Sequence, residues 1–168
     1  MRGERQAAAA VVDRVLELEP NNAWGRLVRA QLLLADGKPE EAKQILQPLG
    51  TVMRDYVPYK LTMAAVQRQT GYPQVERQLY REVLDLEPGN ADAHLALIGA
   101  MLAEGQTGPA ETQLAAALNA APTDERIVRF AVEYWLDRGR GKQALEVLDR
   151  VARSPNPPIG RASCRERV

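Results

Sequence analysis

Residues 91–124 read ADAHLALIGAMLAEGQTGPAETQLAAALNAAPTD, and this stretch decides the fold because its landmarks return along the chain every 34 residues. Gly105 is one of four glycines in phase, with Gly37, Gly71 and Gly139. Ala110 aligns with Ala42 and Ala144, a column broken only by Glu76. Leu114 aligns with Leu46, Tyr80 and Leu148, and Ala117 with Leu49, Val83 and Val151. Two periods separate Leu16-Glu17-Leu18-Glu19-Pro20 from Leu84-Asp85-Leu86-Glu87-Pro88, a match that chance rarely produces. Extended backwards, the frame places Ala8, Val12, Val15 and Pro20 in the same columns, so the chain begins within the second half of a repeat. A fixed period of this length marks stacked helical units that share a continuous core.

Each row splits into two helical halves. Leu27 with Leu34, Leu95 with Leu102, and Leu114 with Leu118 recur at the spacing of one helix face. Asn22, Asn90 and Asp124 stand before the first helices, where a short polar side chain accepts a bond from an otherwise unpaired amide. The glycines follow those helices, where a left-handed residue stops the helix without a side-chain clash. Pro39, Pro73 and Pro109 are predicted to open the second helices, and Pro20, Pro88 and Pro122 to close them. The expected class is all-α, an α-solenoid of antiparallel helix-turn-helix repeats over residues 1–154. It divides into a partial repeat at 1–22 and repeats at 23–56, 57–90, 91–124 and 125–154, followed by a non-repeat tail at 155–168.

These columns resemble the tetratricopeptide repeat (TPR) family. The third row carries most of that family's pattern in Leu97, Gly105, Ala110, Leu114, Ala117 and Pro122. The resemblance runs from Ala7 to about Ser154 and implies a right-handed superhelix of bacterial type that binds other proteins and catalyses nothing. It implies no particular partner. Members that clamp a terminal carboxylate use lysine and asparagine at the fifth and ninth positions of the row, and this chain has neither.

Departures from the pattern predict local irregularity. The fourth position, often a large residue in the family, holds Arg26, Lys60, His94 and Val128. The eighth holds Ala30, Ala64, Ile98 and Val132, so the closest helix contacts are expected in the first two rows. Pro48 interrupts the second helix of the first row, with Gly50, Arg54 and Pro58 beyond it, and predicts either a hinge or a shortened helix at unchanged period. Glu76 faces Gln67 if the register holds, giving a buried polar pair. A one-residue rotation that turns Val75 inward and leaves Glu76 in water is the preferred reading, because a buried carboxylate is costly.

Composition narrows the function. Lys plus Arg equals Asp plus Glu at 22 each, with the signs mixed along the chain, so no polyanion-binding surface is indicated and nucleic acid is not an expected partner. Eighteen of the 22 basic residues are arginine, read as solvated helix faces. The apolar run Ala7 to Val12 is too short for a membrane span or a secretory segment. Cys164 is the lone cysteine, which rules out a disulfide within the chain. His94 is the lone histidine, read as a surface or packing residue, and no metal site or cofactor is expected. The turn Glu104 to Pro109 lacks the lysine of a phosphate loop. Carboxylate pairs such as Glu40 with Glu41 converge on no pocket, and serine occurs only at Ser154 and Ser163, so no catalytic residues are expected.

In such a solenoid the first helices line the concave face. The second, fifth, ninth and twelfth positions then supply a candidate partner-binding groove. In the first row these are Trp24, Leu27, Gln31 and Leu34, and in the second Leu61, Ala65 and Arg68. The third gives Leu95, Gly99 and Leu102, and the fourth Arg126, Arg129, Glu133 and Leu136. Such a groove suits an amphipathic helix or extended segment of another protein, unless the leucines bury against neighbouring repeats. The leading function is a non-catalytic protein-interaction scaffold. The alternatives are an accessory array of a larger enzyme, such as a glycosyltransferase, and a factor for exopolysaccharide export or envelope assembly in the cytoplasm or periplasm of a bacterium.

Residues 159–168, IGRASCRERV, fall outside the repeat and resemble translated sequencing-adapter read-through. Neither end has a polar capping element, so the chain is expected to be a piece of a longer array with ends prone to self-association. A monomer by sedimentation at high concentration would count against that expectation.

Overall fold

The period is realised residue for residue. In the computed structural model, which describes residues 2–154, first helices start at Ala23, Val57, Ala91 and Glu125, and second helices at Pro39, Pro73, Thr107 and Gly141. The elements are α1 (Arg2–Leu18), α2 (Ala23–Ala35), α3 (Pro39–Leu46), α4 (Val57–Gln69), α5 (Pro73–Leu86), α6 (Ala91–Ala103), α7 (Thr107–Ala120), α8 (Glu125–Asp137) and α9 (Gly141–Arg153). There is no strand among the described residues. The tail at 155–168, with the adapter-like segment and Cys164, lies outside them.

Local chemistry sets both ends of each first helix. Asn22 accepts from the Gly25 N–H at 2.8 Å while its own amide donates to Glu19 at 2.8 Å. Asn90 repeats the device two periods later, accepting from Ala93 at 3.1 Å and donating to Glu87 at 2.9 Å. Asp124 takes the amides of Arg126 and Ile127. The α4 helix has no side-chain cap and instead carries Pro58 in its first turn, where a missing N–H leaves nothing unpaired.

At the other end, Gly37, Gly71, Gly105 and Gly139 have φ of 73°, 82°, 74° and 69°, the left-handed region expected of them. The residue after each glycine donates its N–H to a carbonyl five residues back: Lys38 to Leu33, Tyr72 to Gln67, Gln106 to Met101 and Arg140 to Trp135. This closing bond of the Schellman motif satisfies a carbonyl that the helix leaves orphaned, and it turns the chain back on itself.

The second helices follow the proline logic in part. Pro39 and Pro73 occupy the first helical position. Pro109 does not: α7 begins two residues earlier at Thr107, in phase with the other rows, and Pro109 sits within the first turn. The correction has a simple cause, since the first four amides of a helix have no intrahelical acceptor and a proline anywhere among them costs little. Pro20, Pro88 and Pro122 each stand two residues beyond a helix end.

Pro48 shortens α3 to 8 residues, against 14 in α5 and α7, and a 3-10 turn over Gln47–Leu49 follows. The helix is thus shortened while the period is kept. Gly50 answers a need for space: an added Cβ would lie 3.2 Å from the Tyr59 hydroxyl.

The chain divides into two compact units, Met1–Leu86 and Glu87 onwards, each described by itself. The first buries Leu27, Ala30, Leu46, Leu49, Met53 and Val66 in one cluster, with α2 packed between α1 and α3. The second buries Ile98, Leu114, Ala117, Ile127, Ala131 and Tyr134. Full burial of such leucine and isoleucine side chains contributes roughly 1.5–3 kcal/mol each.

The expected one-residue rotation of α5 does not occur. Val75 is 45% exposed, so α5 is not rotated to bring it inward. Glu76 stays in phase and is half-buried, and its carboxyl is raised above the ordinary value by burial, against the opposing pull of Arg68 and Arg77. It forms no pair with Gln67, whose amide donates to Met63 Sδ at 3.7 Å. Two nearby guanidiniums relieve the desolvation of the carboxylate, which makes a rotation of the whole helix unnecessary.

Candidate partner-binding surface

Within the first unit, α2 and α4 carry the predicted stripe side by side. Gln31 on α2 donates to the Thr62 hydroxyl on α4 at 3.1 Å, which fixes the two helices next to each other. Of the stripe, Trp24 is 57% exposed, Gln31 and Arg68 are exposed, and Leu34, Leu61 and Ala65 are half-buried. Leu34 rests against the core beneath. Leu27, at 3% exposure, is a core residue. A partner cannot reach it, and in the first unit the accessible part of the stripe is Trp24, Gln31, Leu34, Leu61, Ala65 and Arg68.

Within the second unit, α6 and α8 are joined at the same level by Arg126, which donates to Asp92 at 2.7 Å across one full period. The pair is exposed and holds the Arg126 side chain alongside Asp124. Such a surface pair adds little stability, about 0–1 kcal/mol, but it occupies the guanidinium. Leu95 and Leu102 are half-buried, Gly99, Arg129 and Glu133 exposed, and Leu136 is 57% exposed.

The polar fourth position turns out to be a latch. Arg26 Nε donates to the Pro20 carbonyl at 2.9 Å and its terminal nitrogen to Asn21. One buried His94 does the equivalent two periods on, with Nε2 at 2.8 Å from the Pro88 carbonyl. The Gln113 amide lies 2.9 Å from Nδ1, so Nδ1 accepts and Nε2 donates. His94 is therefore a packing residue tied into the turn before its own helix. Lys60, 8% exposed, points instead to Glu82 on α5 at 2.5 Å. That contact holds the Glu82 carboxyl below its ordinary value, chiefly through the hydrogen bond from Lys60.

Sequence reasoning missed an aromatic cluster at the end of α8. Phe130 and Tyr134 stack with ring centres 6.1 Å apart, and Trp135 meets Tyr134 edge-on at 4.9 Å. Arg138 lies 3.7 Å over the Tyr134 ring and Arg140 5.4 Å over Trp135. Glu111 on α7 accepts from both the Tyr134 hydroxyl and Arg140. Burial raises the Tyr134 phenol above its ordinary value; Arg138 opposes that rise and Glu111 adds to it. The arrangement locks α7 to the α8–α9 turn. The only signal in the sequence was the density of aromatics in Phe130-Ala131-Val132-Glu133-Tyr134-Trp135.

Several large apolar side chains remain exposed on the first and last helices of the described chain, Val11 and Leu18 on α1, Leu145 and Leu148 on α9. Among the described residues no helix is long and apolar enough to cross a membrane, and no cluster of three or more metal-ligating side chains occurs.

Paired antiparallel helices, a left-handed glycine in the turn within each of four repeats and an unbroken period together define a helical repeat protein. The chain belongs to the tetratricopeptide repeat family, whose sequence profile matches residues 1–66 and 77–131. Among solved structures it is similar to MamA, at 16% identity and a TM-score of 0.65, over 89% of this chain and 87% of that one. It is also similar to TTC0263, a thermophilic TPR protein of Thermus thermophilus, at 21% identity and a TM-score of 0.64, over 92% and 85% of the two chains. At these identities the likeness carries the fold. No curated protein matches the chain. Proteins of this family bind other proteins and are generally non-catalytic.

Proposed function

We propose that the chain is a non-catalytic scaffold that receives a partner helix or extended peptide along its first helices. The observation that carries this reading is the incomplete burial of the stripe leucines. Leu34 and Leu61 in the first unit, and Leu95, Leu102 and Leu136 in the second, stay accessible on helices that each bury other residues in a core. Apolar side chains at helical spacing, interspersed with Gln31, Arg68, Arg129 and Glu133, offer area for burial and polar groups for register. The stripe concentrates neither carboxylates nor hydroxyls around a cleft, as acid–base or nucleophilic chemistry requires.

Affinity capture with the native chain and with Leu61→Glu and Leu136→Glu tests the proposal. Each variant places a charge on one unit's stripe without disturbing the buried Leu27. Loss of the captured partners in either variant, at unchanged helical content, is the expected result. Identical partners captured by both would refute it.

A further inference from the structure

We draw no further inference here: the strongest candidate, the apolar patch at Leu145 and Leu148 on α9, where Leu148 is 46% exposed while Leu114 one period earlier is 1% exposed, carries nothing because nothing in the structure shows what covers it.

Discussion

Replacing glycine by alanine six residues apart in the third repeat should move stability in opposite directions. Gly99 lies in the interior of α6 and Gly105 in the turn that ends it, and at both an added Cβ meets nothing within 4 Å. Packing is thereby removed from the comparison, and backbone conformation decides the sign. At Gly105, with φ of 74°, an L-residue incurs roughly 1–2 kcal/mol of left-handed strain. The lower entropy of the unfolded chain returns about 0.4–1 kcal/mol of that, which leaves a net loss of roughly 0–1.6 kcal/mol, centred near 0.8. At Gly99 there is no such strain, and alanine in a helix interior gains roughly 0.5–1 kcal/mol. The two variants should therefore differ by about 0.5–2.6 kcal/mol, or at least about 1 °C in Tm for a chain of this size. Circular dichroism at 222 nm in urea and heat, on both variants and the native chain, makes the measurement. A Gly105→Ala chain as stable as Gly99→Ala would refute the left-handed assignment and the turn built on it. Gly105→Val, with a branched side chain in the same position, should lose at least as much as Gly105→Ala.

Two further outcomes follow from the latches. His94→Leu leaves the Pro88 carbonyl and the Gln113 amide without their partner and should cost about 1–3 kcal/mol. Chemical denaturation of His94→Leu, Gln113→Leu and the double variant should show sub-additive losses, and simple additivity would break the proposed network. Glu82 has its carboxyl lowered by Lys60, so its contribution is present above the unfolded value near 4.5 and is lost as pH falls through the lower folded value. Glu82→Gln should melt below the native chain at pH 6 to 7, with the gap closing in acid. A gap that persists unchanged at pH 3 would exclude the ion pair as its source.

The fold was legible because its determinants are local. Caps, left-handed glycines and closing prolines each act within one turn of backbone, and their phase alone defines the repeat. Even the shortened α3 follows from Pro48, since proline removes one bond and clashes with the preceding turn. Side-chain environments were less legible where a residue's neighbours come from another element. Val75 and Glu76 were misjudged because Arg68 sits on the preceding helix, and nothing in the spacing reveals that two guanidiniums ease the carboxylate's desolvation. Leu27 shares the helical phase of Leu61 but is buried in the core of the first unit, a difference set by neighbouring elements that periodicity does not resolve. His94, read as a surface or packing residue, is buried with ring partners 6 and 19 residues away, a backbone carbonyl and a side-chain amide whose approach no spacing announces.

The open space around the four turn glycines has a stereochemical consequence. No neighbour excludes a methyl group at Gly37, Gly71, Gly105 or Gly139, so what these positions select is handedness. A residue of the opposite chirality finds its own preferred backbone region there, and D-alanine would meet neither clash nor strain. Each repeat thus contains one site where the mirror-image building block is the better fit, and glycine serves because it is the only ribosomal residue without a hand.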